Sequence, residues 1–160
     1  MSFYLEIEPE WNIIKKIREA IESDEVIQRQ GKDFLEAARI AAIELVENAL
    51  KYSDPASADP VQFSFLVDFT DTDCVIKVTN PCGDPEKIDA VRRTLAEIRG
   101  GDPFALYVKR LESLRDNPDG HSRMGFYRIA YEAEFRLEEE ISEQGVSISA
   151  IRRLTDQPQS

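Results

Sequence analysis

The spacing of apolar side chains predicts one strand and two helices in the first third of the chain. Residues 3–7 alternate apolar and polar side chains, which predicts a short strand. An apolar stripe at helical spacing then predicts a first helix, with Trp11, Ile14, Ile17 and Ile21 on one face. A second helix is predicted from about Gly31 to Tyr52, and its wide apolar face indicates that it lies in the core.

Strict alternation of apolar and polar residues returns after a polar loop at residues 54–60. It predicts strands over residues 61–69 and 74–79, joined by a hairpin turn at residues 71–73. A third helix is predicted to begin at Pro85 and to end at Gly100-Gly101, since proline favours the first helical position and glycine the end.

The last third of the chain contains two further predicted helices and two further strands. The helices cover residues 103–114 and 124–132, the segment 115–122 between them is predicted to be a loop, and the strands cover 134–141 and 145–152. The order β-α-α-β-β-α-α-α-β-β lacks the alternation of a parallel βαβ protein. It predicts an α+β fold: a two-layer sandwich of a mixed, mainly antiparallel sheet with helices on one face. Residues 1–154 would form a single domain, followed by a frayed tail at 155–160.

Composition and charge exclude several classes of function. The 160 residues carry a net charge of −11, which argues against a general nucleic-acid binder and against docking on an anionic membrane. No apolar run approaches about 18 residues, and the first ten residues lack the basic start of a signal peptide. Two cysteines, Cys74 and Cys82, and one histidine make neither a disulfide framework nor a four-ligand zinc site. These features predict a cytoplasmic protein.

Three polar residues interrupt the apolar pattern of the second predicted helix. Glu44, Asn48 and Lys51 fall on one helical face. Burying such a group without a partner costs a few kcal/mol, so a ligand such as a phosphate with Mg²⁺ would satisfy them. The alternative is a solvated helix face on which Glu47 and Lys51 form an ordinary ion pair.

The wording of this segment points to a known superfamily. The pattern Glu44-x-x-x-Asn48-Ala49-x-Lys51-Tyr52-Ser53 resembles the N box of the GHKL ATP-binding proteins. That superfamily includes anti-sigma-factor serine kinases, sensor histidine kinases, type II topoisomerase ATPase domains, Hsp90 and MutL. The glutamate at the first position of the motif resembles the pattern of the anti-sigma-factor kinases. The resemblance extends over residues 3–152 and implies a GHKL-like ATP-binding domain with the Bergerat fold, in which the nucleotide lies between the helices and the sheet.

The first glycine motif of the family is altered in this chain. The family pattern Asp-x-Gly-x-Gly follows a strand, and Asn80 stands where its adenine-reading aspartate is expected. An asparagine oxygen can also accept a hydrogen bond from the adenine amino group. Cys82 replaces the first glycine, Pro81 stiffens the loop, and Gly83 follows Cys82. A simple turn at the end of the strand would explain the same residues.

The second, phosphate-cradling glycine motif is altered further. Gly125 keeps its place between Met124 and Phe126, but His121 and Arg123 stand where two glycines belong. A side chain at these positions either blocks the close approach of a triphosphate or, in the case of Arg123, binds the phosphate directly. Arg123 could equally be an exposed charge at the start of a helix, and His121 has no nucleophile to pair with.

The resemblance implies a role for each of these residues. Glu44 would be the general base that activates a serine hydroxyl of a partner protein, Asn48 would hold Mg²⁺, and Lys51 would meet a phosphate of ATP. Asn80 would read adenine, Gly83 and Gly125 would leave room for the nucleotide, and Arg123 would contact phosphate.

Two functions follow from the resemblance. The first is an ATP-binding signalling kinase whose partner is an antagonist protein of the anti-sigma system or a sigma-factor-like regulator, with a homodimer as a further expectation. The second is a degenerate, pseudokinase-like module that acts through protein–protein interaction without catalysis, which the altered glycine motifs favour. The chain lacks a phosphoacceptor-histidine helix, so neither function is that of a complete histidine kinase.

Overall fold

The computed structural model describes residues 3–7, 12–52, 63–80, 85–116, 124–142 and 145–155. Its elements follow one another in the order β1 (Phe3–Ile7), α1 (Ile13–Ser23), α2 (Glu25–Arg29), α3 (Lys32–Tyr52), β2 (Phe63–Phe69), β3 (Asp73–Asn80), α4 (Pro85–Gly100), α5 (Pro103–Asp116), α6 (Met124–Tyr131), β4 (Arg136–Ser142) and β5 (Gly145–Arg153). The α+β class predicted from the sequence is confirmed. The predictions for Trp11, for residues 54–60 and for His121 lie outside the described residues.

The five strands form one sheet in the order β1-β2-β3-β5-β4, and every neighbouring pair is antiparallel. The prediction of a mixed sheet is therefore wrong for the described strands. Two of the pairs, β2–β3 and β4–β5, are hairpins, which are antiparallel by construction. Between β1 and β2 the chain runs through α1, α2 and α3. Between β3 and β5 it runs through three helices and β4, and β5 lies in the sheet between β3 and β4, antiparallel to both.

The helices cover one face of this sheet, as predicted. In β3 the side chains of Cys74, Ile76 and Val78 are buried, whereas those of Val75 and Lys77 between them are only partly buried. Helix α3 contacts β3, and helices α4 and α6 contact β4. Alternation with a period of two thus separates a helix-covered face from an open one, which makes a two-layer sandwich.

Helix α3 is the central element of the helical layer. It contacts α1, α2 and α6 on its sides and β3 beneath it. Much of its buried surface comes from small residues, which allow close helix packing, namely Ala37, Ala38, Ala41, Ala42 and Ala49. Between them Phe34 and Leu45 fill the larger gaps. The wide apolar face that the sequence predicts for this helix therefore packs into the core against both neighbouring helices and the sheet.

The short helix α2 is absent from the sequence prediction. Its five residues are too few to show a helical period, but Asp24 before it makes an N-cap, because its carboxylate accepts a hydrogen bond of 3.0 Å from the backbone N–H of Ile27. Ile27 is fully buried and fastens the helix to the core. The observed order therefore has three helices between β1 and β2.

Glu134, between α6 and β4, has a φ of 55°, and β4 begins at Arg136 rather than at the predicted residue 134. Cys74 is a free, buried thiol. Thr155, at the start of the predicted tail, donates a hydrogen bond of 3.0 Å from Oγ1 to the backbone carbonyl of Gln30. No helix among the described residues has the length and apolarity needed to cross a membrane.

Candidate functional site

Helix α3 carries two of its three unusual polar residues into the protein interior. The exposed fraction is 9% for Glu44 and 3% for Asn48, whereas Lys51, one turn further along, is exposed. A solvated helix face therefore describes Lys51 but not Glu44 or Asn48. A buried carboxylate and a buried amide require partners, because an unsatisfied group costs about 1–3 kcal/mol or more.

Gly125 of α6 faces these two side chains. A β-carbon at residue 125 would lie 2.6 Å from Glu44 Oε2 and 2.8 Å from Asn48 Nδ2, distances too short for any side chain. The missing side chain therefore lets α6 pack directly on α3 at this point. The resemblance assigned Gly125 the task of leaving room for a nucleotide, but the room it leaves here is taken by Glu44 and Asn48.

The partner of Glu44 is Arg128, one turn beyond Gly125 on α6. Arg128 Nη1 donates to Glu44 Oε1 at 2.5 Å, and Arg128 Nε donates to Glu132 Oε2 at 3.1 Å. The hydroxyl of Tyr107, from α5, donates to Glu132 Oε1 at 2.7 Å. Arg128 was not among the site residues predicted from the sequence, although a buried carboxylate demands a cation and α6 offers Arg128 on the same side as Gly125.

The two carboxylates that hold Arg128 differ in basicity. Burial raises the pKa of Glu44, and the attraction of Arg128 only partly opposes this effect, while the neighbouring carboxylate of Glu47 adds to it. Burial also pushes the pKa of Glu132 upward, but the hydrogen bonds from Tyr107 and Arg128 outweigh it and leave that pKa below its ordinary value. Glu44 is therefore the better proton acceptor of the two.

A narrow cleft opens between α3, α4, β3 and β5, next to Asn48. It contains about 400 Å³ of empty volume, including open solvent. Its walls are mainly apolar and include Leu45, Val78 and Val91, and its polar lining residues among those described are Asn48, Asn80 and Lys87. Apolar walls with a few polar groups are the usual lining of a small-molecule site.

Two buried amide atoms in this cleft have no partner among the described residues. Asn80 Nδ2 donates to the backbone carbonyl of Ala49 at 3.1 Å, which leaves Asn80 Oδ1 as an unpartnered acceptor. Asn48 Nδ2 is an unpartnered donor. Both residues are at least nine-tenths buried. A ligand that offers a donor to Asn80 and an acceptor to Asn48 would satisfy both groups, so the cleft has the chemistry of a binding site.

The remaining predicted site residues are separate from this cleft or outside the description. Gly83 and Arg123 lie outside the described residues. The residues described include no cluster of three histidine, cysteine or acidic side chains suited to a metal ion. Mg²⁺ that arrives with a nucleotide needs only one or two protein oxygens, and Asn48 is the described residue to which the resemblance gives this role.

Comparison with known proteins adds no relative. No protein-family model matches the chain, and comparison with curated proteins gives no significant match. The function of the site therefore has to be inferred from its geometry and from the motif resemblance.

Proposed function

We propose that this chain is an ATP-binding regulatory protein with the GHKL (Bergerat) fold, similar to the anti-sigma-factor serine kinases, that transfers phosphate from Mg-ATP to a serine of a partner protein. The observation that carries the proposal is the pair of unpartnered buried amide atoms, Asn48 Nδ2 and Asn80 Oδ1, on two residues that line one mainly apolar cleft. Glu44, a buried carboxylate with a raised pKa, lies one helical turn from Asn48. An apolar cleft for the adenine ring beside a candidate general base suits such a kinase.

The adenine ring of the nucleotide would occupy the cleft. Asn80 is fixed by its bond to Ala49, so its oxygen is the atom available to accept from an exocyclic amino group. Val78 and Val91 supply apolar walls for the ring, and Lys87 offers a positive charge for an anionic group. Asn48 then meets the phosphate end, either through its N–H group or by turning its oxygen to Mg²⁺.

ATP supplies the transferable γ-phosphoryl group, and the chain supplies the general base, Glu44. Glu44 accepts the proton of the partner's serine hydroxyl as the serine oxygen bonds to the γ-phosphorus. The bond from that phosphorus to the bridging oxygen breaks, and its electron pair leaves with ADP. The proton on Glu44 then passes to solvent, which returns the carboxylate to its starting state. The raised pKa of Glu44 suits this role, because a base acts best when its pKa is near the working pH.

Titration calorimetry with ATP and with inosine triphosphate tests the proposal. Inosine carries a carbonyl where adenine carries the amino group, so it would place an acceptor against Asn80 Oδ1, and we expect it to bind about tenfold more weakly or worse. Asn80→Ala should remove this discrimination. Asn48→Ala should weaken ATP binding, and more strongly when Mg²⁺ is present, and Glu44→Gln should keep binding but abolish phosphate transfer to a serine-bearing partner. Equal affinity for the two nucleotides would contradict the role of Asn80.

The second candidate is the pseudokinase-like interaction module. One observation favours it: Arg128 occupies Glu44 Oε1, and Gly125 packs against Glu44 Oε2 and Asn48 Nδ2, so the contact between α3 and α6 is closed around the proposed base. A folded protein that binds neither ATP nor ADP at millimolar concentration would support this module. Glu44→Gln and Asn48→Ala should then leave partner binding unchanged.

The partner and the location are proposed on the resemblance alone. We infer that the partner is an antagonist protein with a serine acceptor or a sigma-factor-like regulator, that the chain forms a homodimer, and that it acts in the cytoplasm. A serine phosphorylated on the partner, found by mass spectrometry after incubation with ATP, would support this inference. A partner that binds but gains no phosphate would support the module instead.

A further inference from the structure

Arg128 is held from two sides by carboxylates of different elements. Its Nη1 contacts Glu44 of α3 at 2.5 Å, and its Nε contacts Glu132, which directly follows α6, at 3.1 Å. Glu132 is itself fixed by the hydroxyl of Tyr107 on α5. Because a guanidinium is planar and its donors point in fixed directions, two contacts on different edges leave it little freedom to rotate. Helices α5 and α6 together thus define the position of the charge beside Glu44.

The two oxygens of Glu44 are thereby made unequal. Oε1 accepts from Arg128, whereas Oε2 lies beside Gly125 and faces the same point as Asn48 Nδ2. Without Arg128, the buried carboxyl would have no cation within an ion-pair distance among the described residues. It would then be free to rotate and would favour its neutral form, which cannot act as a base.

We propose that Arg128 is the positioning residue for Glu44: it fixes Oε1, keeps the carboxylate charged, and leaves Oε2, next to Asn48, as the oxygen that receives a proton. The value of this arrangement for catalysis rests on the proposed function, in which Glu44 is the base. The coupling between Arg128 and Glu44 can be measured without a nucleotide, so the two inferences can fail separately.

Other charges near Glu44 differ in sign and cannot replace Arg128. Glu47 and Glu132 both oppose ionisation of Glu44, and the favourable attraction of Lys51 is weaker than that of Arg128. Lys51 is also exposed, so solvent screens its charge. Tyr107 acts on Glu44 only through Glu132 and Arg128. Removal of Arg128 should therefore raise the pKa of Glu44 further, because burial then acts almost unopposed.

The test is an NMR titration of the glutamate side-chain carboxyls in nucleotide-free protein labelled with ¹³C-glutamate, with the Glu44 signal assigned through Glu44→Gln. Arg128→Met should move the titration midpoint of Glu44 upward, and Arg128→Lys should restore part of the shift. Arg99→Met is the matched control. The Arg99 side chain is equally exposed, at 40%, but it pairs with Glu139 of β4 instead of with Glu44. It should leave the Glu44 signal in place.

The outcomes separate the possible roles. An unchanged Glu44 midpoint in Arg128→Met, or an equal movement in Arg99→Met, overturns the proposal. Arg128→Lys keeps the test valid if the methionine variant unfolds, because it retains the charge but not the two-sided contact. In phosphate transfer, the acid limb of the pH profile should move upward with the Glu44 midpoint. If the protein binds no ATP while Arg128→Met still moves the midpoint, the kinase function fails and the coupling stands.

Discussion

At the residue scale, position 125 decides how closely two helices approach. Gly125 has no side chain, and the space that a β-carbon would need is already occupied by the ends of Glu44 and Asn48. Glu44 and Asn48 can therefore keep these positions only because residue 125 has no β-carbon. The requirement for glycine here comes from packing, since the φ of residue 125 is not among the positive values in the described chain.

Gly125→Ala should lower the free energy of unfolding by about 1 kcal/mol. The overpacked β-carbon costs about 1–3 kcal/mol, and the better helix propensity of alanine returns at most about 1 kcal/mol. Urea unfolding measures the difference. Gly100→Ala is the control, because a β-carbon there meets nothing within 4 Å, and it should be neutral or slightly stabilising. Equal stability of the two variants would mean that Glu44 and Asn48 can move aside without cost.

Glu44→Gln should become more stable relative to the wild type as the pH rises. The pKa of Glu44 is higher in the folded than in the unfolded chain, so its stabilising contribution is complete below the ordinary value of 4.5 and is lost as the pH rises through the raised value. Glutamine does not ionise and avoids this loss. Unfolding free energies of both proteins, measured from about pH 4 to about pH 8, should diverge across that range.

Glu139→Gln provides a control of opposite sign. The hydrogen bond from Arg99 lowers the pKa of Glu139, so the contribution of this carboxylate is present above its ordinary pKa and is lost as the pH falls. The deficit of Glu139→Gln should therefore shrink in acid. The same trend in both variants would exclude a raised pKa at Glu44.

The sequence identified some site residues and missed others for a physical reason. Glu44 and Asn48 were predicted because they are polar residues in an otherwise apolar helix, and Asn80 was predicted from the motif resemblance, in which it takes the place of an aspartate at the end of a strand. Arg128 could not, because it lies 84 residues from Glu44 and its own helix gives no sign of which carboxylate it meets. A partner of this kind is fixed by helix packing, which a single sequence does not specify.

At the element scale, the turn between α6 and β4 is strained at one residue. Glu134 has a φ of 55°, in the left-handed region that glycine adopts more readily than residues with a β-carbon. The backbone N–H of Phe135 nevertheless bonds the carbonyl of Ile129 at 3.1 Å, which closes the end of the helix. The turn must keep this shape because it sets the start of β4.

Glu134→Gly should raise the free energy of unfolding by up to about 1 kcal/mol. Relief of the left-handed strain, about 1–2 kcal/mol, exceeds the extra entropy that glycine gives the unfolded chain. The ion pair lost is weak, since Glu134 Oε2 is 3.9 Å from Arg152 and its side chain is 75% exposed. Thermal unfolding measures the gain, and Glu138→Gly in the middle of β4 should instead lose about 0.5–1 kcal/mol. A loss at residue 134 would show that the turn carries no strain.

Most element boundaries could be predicted because they carry local signals. Pro85 and Pro103 begin helices α4 and α5, and the alternation of β2 and β3 is strict. Helix α2 and the displaced start of β4 could not be predicted, because the first is too short for a period and the second depends on the backbone of Glu134. Local chemistry thus determines long elements well and short connections poorly.

At the scale of the whole molecule, the sheet order depends on contacts that no local pattern reveals. The hairpins β2–β3 and β4–β5 follow from short turns, but the pairing of β3 with β5 joins segments separated by three helices. That pairing places Asn80 opposite Val146, and both residues line the cleft. The cleft is therefore a product of the tertiary fold, although two of its polar residues were visible in the sequence.

Because Cys74 is buried, the rate at which a reagent modifies its thiol reports how often the helical layer opens. Its side chain faces the helices, and burial, reinforced by Asp24 and Asp68, raises its pKa to about 12, so it does not react while the layer is closed. In a Cys82→Ser background, a thiol reagent should modify Cys74 only when the core opens. ATP at about 100 times its dissociation constant should then slow labelling by about a hundredfold, while inosine triphosphate at the same concentration slows it less. A rate that ATP leaves unchanged would mean that the core opens without releasing the nucleotide, or that no nucleotide binds, and calorimetry on the same sample separates the two.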